Sequence, residues 1–197
     1  MTGECVEDIL SEFHVDPKLG FVLPDPLTRL PDVFKPWQEI VDALPELLES
    51  QTIEQRIDAL PIIDTTQLKS NKELRLAHLL LVTLSSAYVW NRGSDKPHLS
   101  IPRQISQPLI DVSDRTGLKP IVVHASACLA NWKRCNTESK CGIADERSEL
   151  FRAEDVSLIA FRFTRHPGNE WFFTLTAQVI SLSARFSLQF CDDIKTF

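Results

Sequence analysis

The chain has 197 residues, 43% of them hydrophobic and 24% charged, a globular balance that excludes disordered and collagen-like classes and supports one core at this length. Lys and Arg number 21 against 27 Asp and Glu, a formal charge of −6. That surplus of acid repels phosphate backbones and anionic lipid, so neither nucleic acid nor a membrane surface is expected as a partner.

Taken from the N-terminus, MTGECVEDIL carries acids where a secretory leader has Lys or Arg, and a cytoplasmic protein is expected. Five of the twelve prolines fall between Pro17 and Pro36, and each fixes its own φ and pushes the residue before it out of the helical region. The segment 13–36 therefore reads as an extended strap. Its many apolar residues, Phe13, Leu19, Val22 and Phe34 among them, predict that one side of it is buried. From Trp37 the apolar residues Ile40, Val41 and Leu44 recur at helical spacing behind Pro36, and Pro45 marks a new helix start. Thr52 with Gln55, and Ser70 with Glu73, have the spacing of capping boxes, each opening a helix.

The second of these opens the longest predicted helix, about Asn71 to Asn91, apolar nearly all round and hence central. Arg75, His78, Thr83, Ser85 and Ser86 interrupt it, which keeps it short of a membrane span. A helix near Ser106 to Thr116 is closed by Gly117, and IVVHASACLANWKR after Pro120 reads as a further helix through Val122, Ala125, Leu129 and Trp132. Residues 135–152 lack apolar period and read as a surface loop. Leu158 to Thr164 alternates and is the one short strand expected; Asn169 can cap a last helix containing WFFTLTAQVISLSARF.

Phosphate-cradling, dinucleotide, serine-elbow and metalloprotease motifs are all missing. Five cysteines without a Cys-x-x-Cys pair point to reduced thiols. His124 and Cys128, four apart on one helix, form the only local pair with metal-ligand spacing, against the plainer reading of a surface histidine and a small buried thiol. No metal site is assigned. His78 amid leucines reads as a core histidine satisfied by a hydrogen bond. Phe172, Phe173 and Thr176 would make a flat apolar wall with one hydroxyl, suited to an aromatic ligand or a macrocycle face, or simply core.

Several strings resemble the indoleamine 2,3-dioxygenase family in the same order: HVDPKLGFVLPDP, LPELLES, LRLAHLLLVTLSSAYVWNRG, IPRQISQPL, LANWK and WFFTLT. The resemblance implies a mainly α protein. Residues 1–160 would be the small helical cap domain, entered by the Pro-rich strap 13–36, and 161–197 the beginning of the large haem-binding domain. It also implies haem b as cofactor, with L-tryptophan and O2 as the full-length family's substrates and N-formylkynurenine as product. Phe172 and Phe173 would carry over to the distal haem pocket, and Thr176 would stand where the family commonly has Ser. His124 would replace an aromatic in the same wall, with Ala127 and Cys128 lining that side. The family's proximal histidine and its substrate-carboxylate arginine match nothing in this chain, so no catalytic or metal-ligating residue is carried over. A truncated form with impaired or no activity is expected, and the alternative is a non-catalytic helical interaction or regulatory isoform. Either way, an apolar surface near the C-terminus, open to association, is predicted around Phe172, Leu175 and Val179.

Overall fold

The computed structural model describes residue 10, residues 15–135 and residues 151–195. The expected start of the strap before Val15, and most of the expected loop 135–152, lie outside the described residues. Among those described, seven α-helices and a single two-stranded sheet make a mainly α protein.

The strap enters with an Asp16–Gly20 bridge whose turn is held by Asp16 Oδ1, which accepts from Lys18 N and Leu19 N at 2.8 Å. Val22 is fully buried beside Trp132, Phe151, Val156 and Ala177 in a small second core. Leu23 N donates to Leu129 O at 2.9 Å. The expectation of a half-buried strap therefore holds. A single turn at Asp32–Phe34 leads into α1 (Lys35–Asp42), with Pro36 in its first turn, where a missing N–H costs nothing. Pro45 likewise sits in the first turn of α2 (Leu44–Glu49).

Helix α3 (Ile53–Asp58) departs from expectation at its start. Thr52 has φ −101° and ψ 0° and makes no capping bond to the helix; its hydroxyl is engaged with Ser50 Oγ at 2.8 Å. A hydroxyl caps from the extended region of backbone space, which Thr52 does not occupy. Ser70 does occupy it, at φ −105° and ψ 155°, and forms both halves of the capping box with Glu73 at the start of α4 (Asn71–Trp90).

Helix α4 is the axis of the molecule, packed against α1, α3, α5 and α6. Leu76, Ala77, Leu79, Leu80, Leu81, Val82 and Leu84 are all at most 3% exposed, the burial that an apolar circumference demands. Helix α5 (Arg103–Thr116) contains Pro108 and ends on Gly117 at φ 71°, the left-handed cap that glycine takes without strain.

The expected helix in IVVHASACLANWKR contracts to one turn, α6 (His124–Ala127), because Val123 is extended at φ −121° and ψ 149°. Asn131 Nδ2 then donates to Ala127 O at 3.0 Å, occupying a carbonyl that a continuing helix would have used. The chain runs on into β1 (Lys133–Arg134), which pairs antiparallel with β2 (Val156–Ser157) in the register Lys133 to Ser157 and Arg134 to Val156. The strand expected at 158–164 is thus displaced to 156–157. Phe161 has φ 62°, a left-handed residue that destroys the alternation a strand requires. Helix α7 (Pro167–Lys195) begins two residues before the expected cap at Asn169, whose side chain turns to the preceding loop instead.

Candidate functional site

Residues 151–164 form only the two strand positions and one turn, Ala153–Asp155, so their backbone polar groups must find partners elsewhere. Side chains supply them. Gln178 Oε1 accepts from Ala153 N at 2.9 Å and Glu170 Oε1 from Leu158 N at 2.9 Å, both from α7. Asn131, 1% exposed, accepts from Ala160 N through Oδ1 at 2.8 Å and donates through Nδ2 to Ala160 O at 3.1 Å. Asn169 accepts from Phe163 N at 2.9 Å and donates to Phe161 O at 2.9 Å. The two asparagines clamp an irregular loop against α6 and α7, and that loop presents Phe161 and Phe163.

Phe161 and Phe163 meet edge to face with centroids 5.5 Å apart, Phe173 stands 5.6 Å from Phe161, and Phe172 lies 5.1 Å from Phe173. A cavity of about 410 Å³ opens here, lined by Phe161, Phe163 and Phe173 together with Trp90, Ser86 and Val122. Of the expected site residues, Phe173 alone lines it. Phe172 is 67% exposed and points outward with Leu175 and Val179, which are 47% and 54% exposed. These three stand at helical spacing with the half-buried Thr176, whose hydroxyl donates to Phe172 O at 2.6 Å. The inner stripe of the same helix runs through Thr174, Ala177 and Ser181, each at most 2% exposed. Helix α7 therefore carries two walls. The outer apolar surface lies where the sequence placed it.

His124 is exposed at the first position of α6, while Ala127 and Cys128 are buried in the main core behind it. Burial pushes the Cys128 thiol up, so it stays protonated. The His124–Cys128 pair therefore splits between surface and core. Among the described residues, no group of three or more His, Cys, Asp or Glu side chains is gathered as for a metal ion.

His78 is fully buried. Its Nε2 lies 2.9 Å from Lys119 O and its Nδ1 lies 2.8 Å from Ser126 Oγ. A carbonyl only accepts, so Nε2 carries the proton and Nδ1 accepts from the Ser126 hydroxyl. Burial lowers the pKa of this ring, with the Arg75 charge adding to the effect against the bond to Lys119 O. His78 is a neutral strut joining α4 to α6, as its leucine surroundings suggested.

The loop clamps escaped the sequence reading. Asn169 looked like a helix cap and Asn131 like part of a string. The one available signal was a carboxamide between Ala130 and Trp132 in an otherwise apolar run.

No helix among the described residues is long and apolar enough to cross a membrane. The family model described as indoleamine 2,3-dioxygenase matches residues 9–193. Indoleamine 2,3-dioxygenase 1 of Rattus norvegicus is 41% identical over 126 residues, 64% of this chain and 31% of its own length. Indoleamine 2,3-dioxygenase 2 of Mus musculus is 38% identical over 136 residues, 69% of this chain and 34% of its own. A myoglobin of Haliotis madaka is 38% identical over 124 residues, 63% of this chain and 33% of its own. The chain spans about a third of the length of these relatives.

Proposed function

The chain belongs to the indoleamine 2,3-dioxygenase family, and from that premise we propose that it is the small helical domain and first haem-domain helix of a tryptophan-cleaving dioxygenase. In this reading residues 1–160 are the cap and 161–197 begin the haem-bearing part. The complete assembly takes L-tryptophan and O2 to N-formylkynurenine, and this chain alone has impaired or no turnover.

The observation that carries the reading is the outer stripe of α7. Phe172, Leu175, Val179 and Phe186 are 67%, 47%, 54% and 72% exposed, an apolar strip of the kind that a macrocycle face or a second domain covers. Haem b would lie against these residues as an apolar surface. Phe172 would meet the ring face, and Phe173 would support Phe172 edge to face from the inner side. The Thr176 hydroxyl would be the polar group beside Phe172 on that wall. It bonds within its own helix, and a short rotation frees it to donate toward a bound polar atom. On that side His124 would be the exposed group, with Ala127 and Cys128 behind it in the core. When bound, the haem supplies ferrous iron for oxygen activation, its reactivity set by an axial protein ligand. Among the described histidines, His78 is held at both ring nitrogens by Lys119 O and Ser126 Oγ, His98 faces Glu54, and His166 accepts from Gly168 N at Nδ1. In this reading the axial ligand would lie in the part of the relatives that this chain does not cover.

Hemin titrated into the reduced chain tests this. The expected result is weak, broad absorbance that Phe172→Ala diminishes and CO leaves unmoved. A sharp Soret band that shifts with CO and disappears in His124→Ala would overturn the assignment of impaired activity.

The alternative, a non-catalytic interaction module, is favoured by the same exposed stripe, which also suits a protein partner. It predicts concentration-dependent self-association and binding of a hydrophobic dye, both reduced in Phe172→Ser, with no response to hemin.

A further inference from the structure

Between α5 and α6 the chain makes a loop, residues 117–125, in which no residue is buried and Ile121 and Val122 are 59% and 45% exposed. Beyond the flanking helices, its hydrogen bonds to the body run, among the described residues, to one side chain. His78, fully buried on α4, meets Lys119 O near one end of the loop at 2.9 Å and Ser126 Oγ just past the other at 2.8 Å. A single imidazole therefore ties down both ends of a surface segment.

The tie depends on the ring's protonation. Nδ1 accepts from the Ser126 hydroxyl only while it is bare. A proton there would turn that hydroxyl's own hydrogen away from the acceptor it now has, at a position 2% exposed, and would set a charge in the core. The surroundings offer it no counter-charge. Arg75, three residues earlier on α4, is the charged group that acts on the ring, and it opposes a second cation. The loop brings the exposed Lys119; α6 brings the exposed His124 and Cys128, whose thiol stays protonated; on α5, Asp111, Asp114 and Arg115 are exposed. Opening costs the loop little by comparison, because Lys119 O keeps a second bond, from Ile121 N at 2.8 Å, and water solvates the ring.

We propose that His78 is an acid-operated latch: a proton taken up at Nδ1 releases residues 117–126 from α4 while the leucine core of that helix stays folded. The released segment carries Val122, which lines the cavity shared by Phe161 and Trp90, so acid loosens one wall of that cavity. The closed fold holds the ring below its ordinary 6.5. The open form therefore takes up the proton more readily, and the open fraction grows as pH falls below about 6.5, by up to about tenfold per pH unit, levelling off below the closed-state value. The latch rests on neither haem nor the dioxygenase reading.

The test is hydrogen exchange of the 197-residue chain between about pH 8 and 5, with protection corrected for the intrinsic rate. The amides of Ser126, Ala127, Cys128 and Leu129, which donate to Val123 O and His124 O, report the latch, and those from Leu79 to Leu84 report the core. Protection of the latch amides should be flat above about pH 6.5, fall by up to about tenfold per pH unit below it, and stay under that of the core throughout. Dilute urea should lower protection of the core amides and leave the latch amides unchanged, since local opening exposes little surface. His78→Gln, whose carboxamide offers a donor and an acceptor at every pH, should keep the latch amides protected without pH dependence. The proposal is overturned if the latch amides show no pH dependence in wild type, if both groups share one protection and one urea response, or if His78→Gln keeps the wild-type pH response. Should that variant not fold, the ring nitrogen shifts of His78 in wild type decide: titration below 6.5 in step with lost protection is expected, and titration at or above 6.5 overturns the latch.

Discussion

Helices α4 and α7 are both long and both rich in apolar residues, yet they end in opposite environments. Helix α4 is enclosed by four other helices, and its leucines from 79 to 81 are fully buried. Helix α7 meets the body through one stripe, Thr174, Ala177 and Ser181, made of small side chains. Phe172, Leu175, Val179 and Phe186 face outward, while Phe173 and Ile180 pack partly buried against the two cores. Burial is set by which neighbours a helix finds, and the small inner residues of α7 let it lie close to the loop at 151–161 while Phe172 and Phe186 are left on the other side.

The largest test of that contrast is cavity formation. Leu80→Ala in α4 should lose about 2–5 kcal/mol in chemical denaturation, whereas Leu175→Ala in α7 should change stability by under about 0.5 kcal/mol. Equal losses would erase the distinction.

Next is the strap crossing α7. Gly20 has φ 63°, and a Cβ placed there would lie 2.1 Å from the Ala184 Cβ, so Gly20→Ala should cost about 1–3 kcal/mol from forced displacement. Unchanged melting would mean that the strap does not rest on this helix. Reducing the partner, as in Ala184→Gly combined with Gly20→Ala, should recover part of the loss.

Smaller effects come from charge. Glu54 accepts from Arg92 Nε and Nη2 at 2.8 and 2.6 Å and from Asn91 Nδ2 at 2.9 Å. The Arg92 guanidinium first, then His98 and Asn91, hold its carboxyl at about 2 against an ordinary 4.5. A depressed carboxyl contributes stability that is complete above the ordinary value and declines as pH falls toward the folded one. Urea midpoints should therefore fall between about pH 4.5 and 2, and the fall should flatten in Glu54→Gln. His78, neutral in the fold with its pKa lowered from 6.5, acts in the same direction at higher pH. The unfolded chain takes up that proton first, so stability declines as pH drops below about 6.5, and His78→Gln should remove this step. The outer stripe of α7 should show no pH response between 5 and 8.

Local chemistry was legible where a single residue dictates a backbone state. Pro36 and Pro45 start helices, Gly117 ends one, and Ser70 with Glu73 caps the axis, because each acts through bonds within a few residues. Thr52 carried the same cap spacing and failed, its hydroxyl held by Ser50. The loop through Phe161 misled because alternation is only a proxy for burial on one face. A left-handed φ there, kept by Asn131 and Asn169, aims both phenylalanines into one cavity. Phe172, Phe173 and Thr176 were expected to form one wall, but α7 turns successive positions by about 100°, so Phe172 and Phe173 serve different surfaces.

The amino-acid sequence by itself determined the mainly α class, the buried central helix, the strap and the family, since periodicity, caps and ordered strings are local or one-dimensional. Only the tertiary structure decided which ring faces the cavity and which apolar stripe stays uncovered. Those outcomes depend on contacts between residues distant along the chain, such as Asn131 with Ala160 and Gly20 with Ala184, whose geometry exists only once the elements have packed.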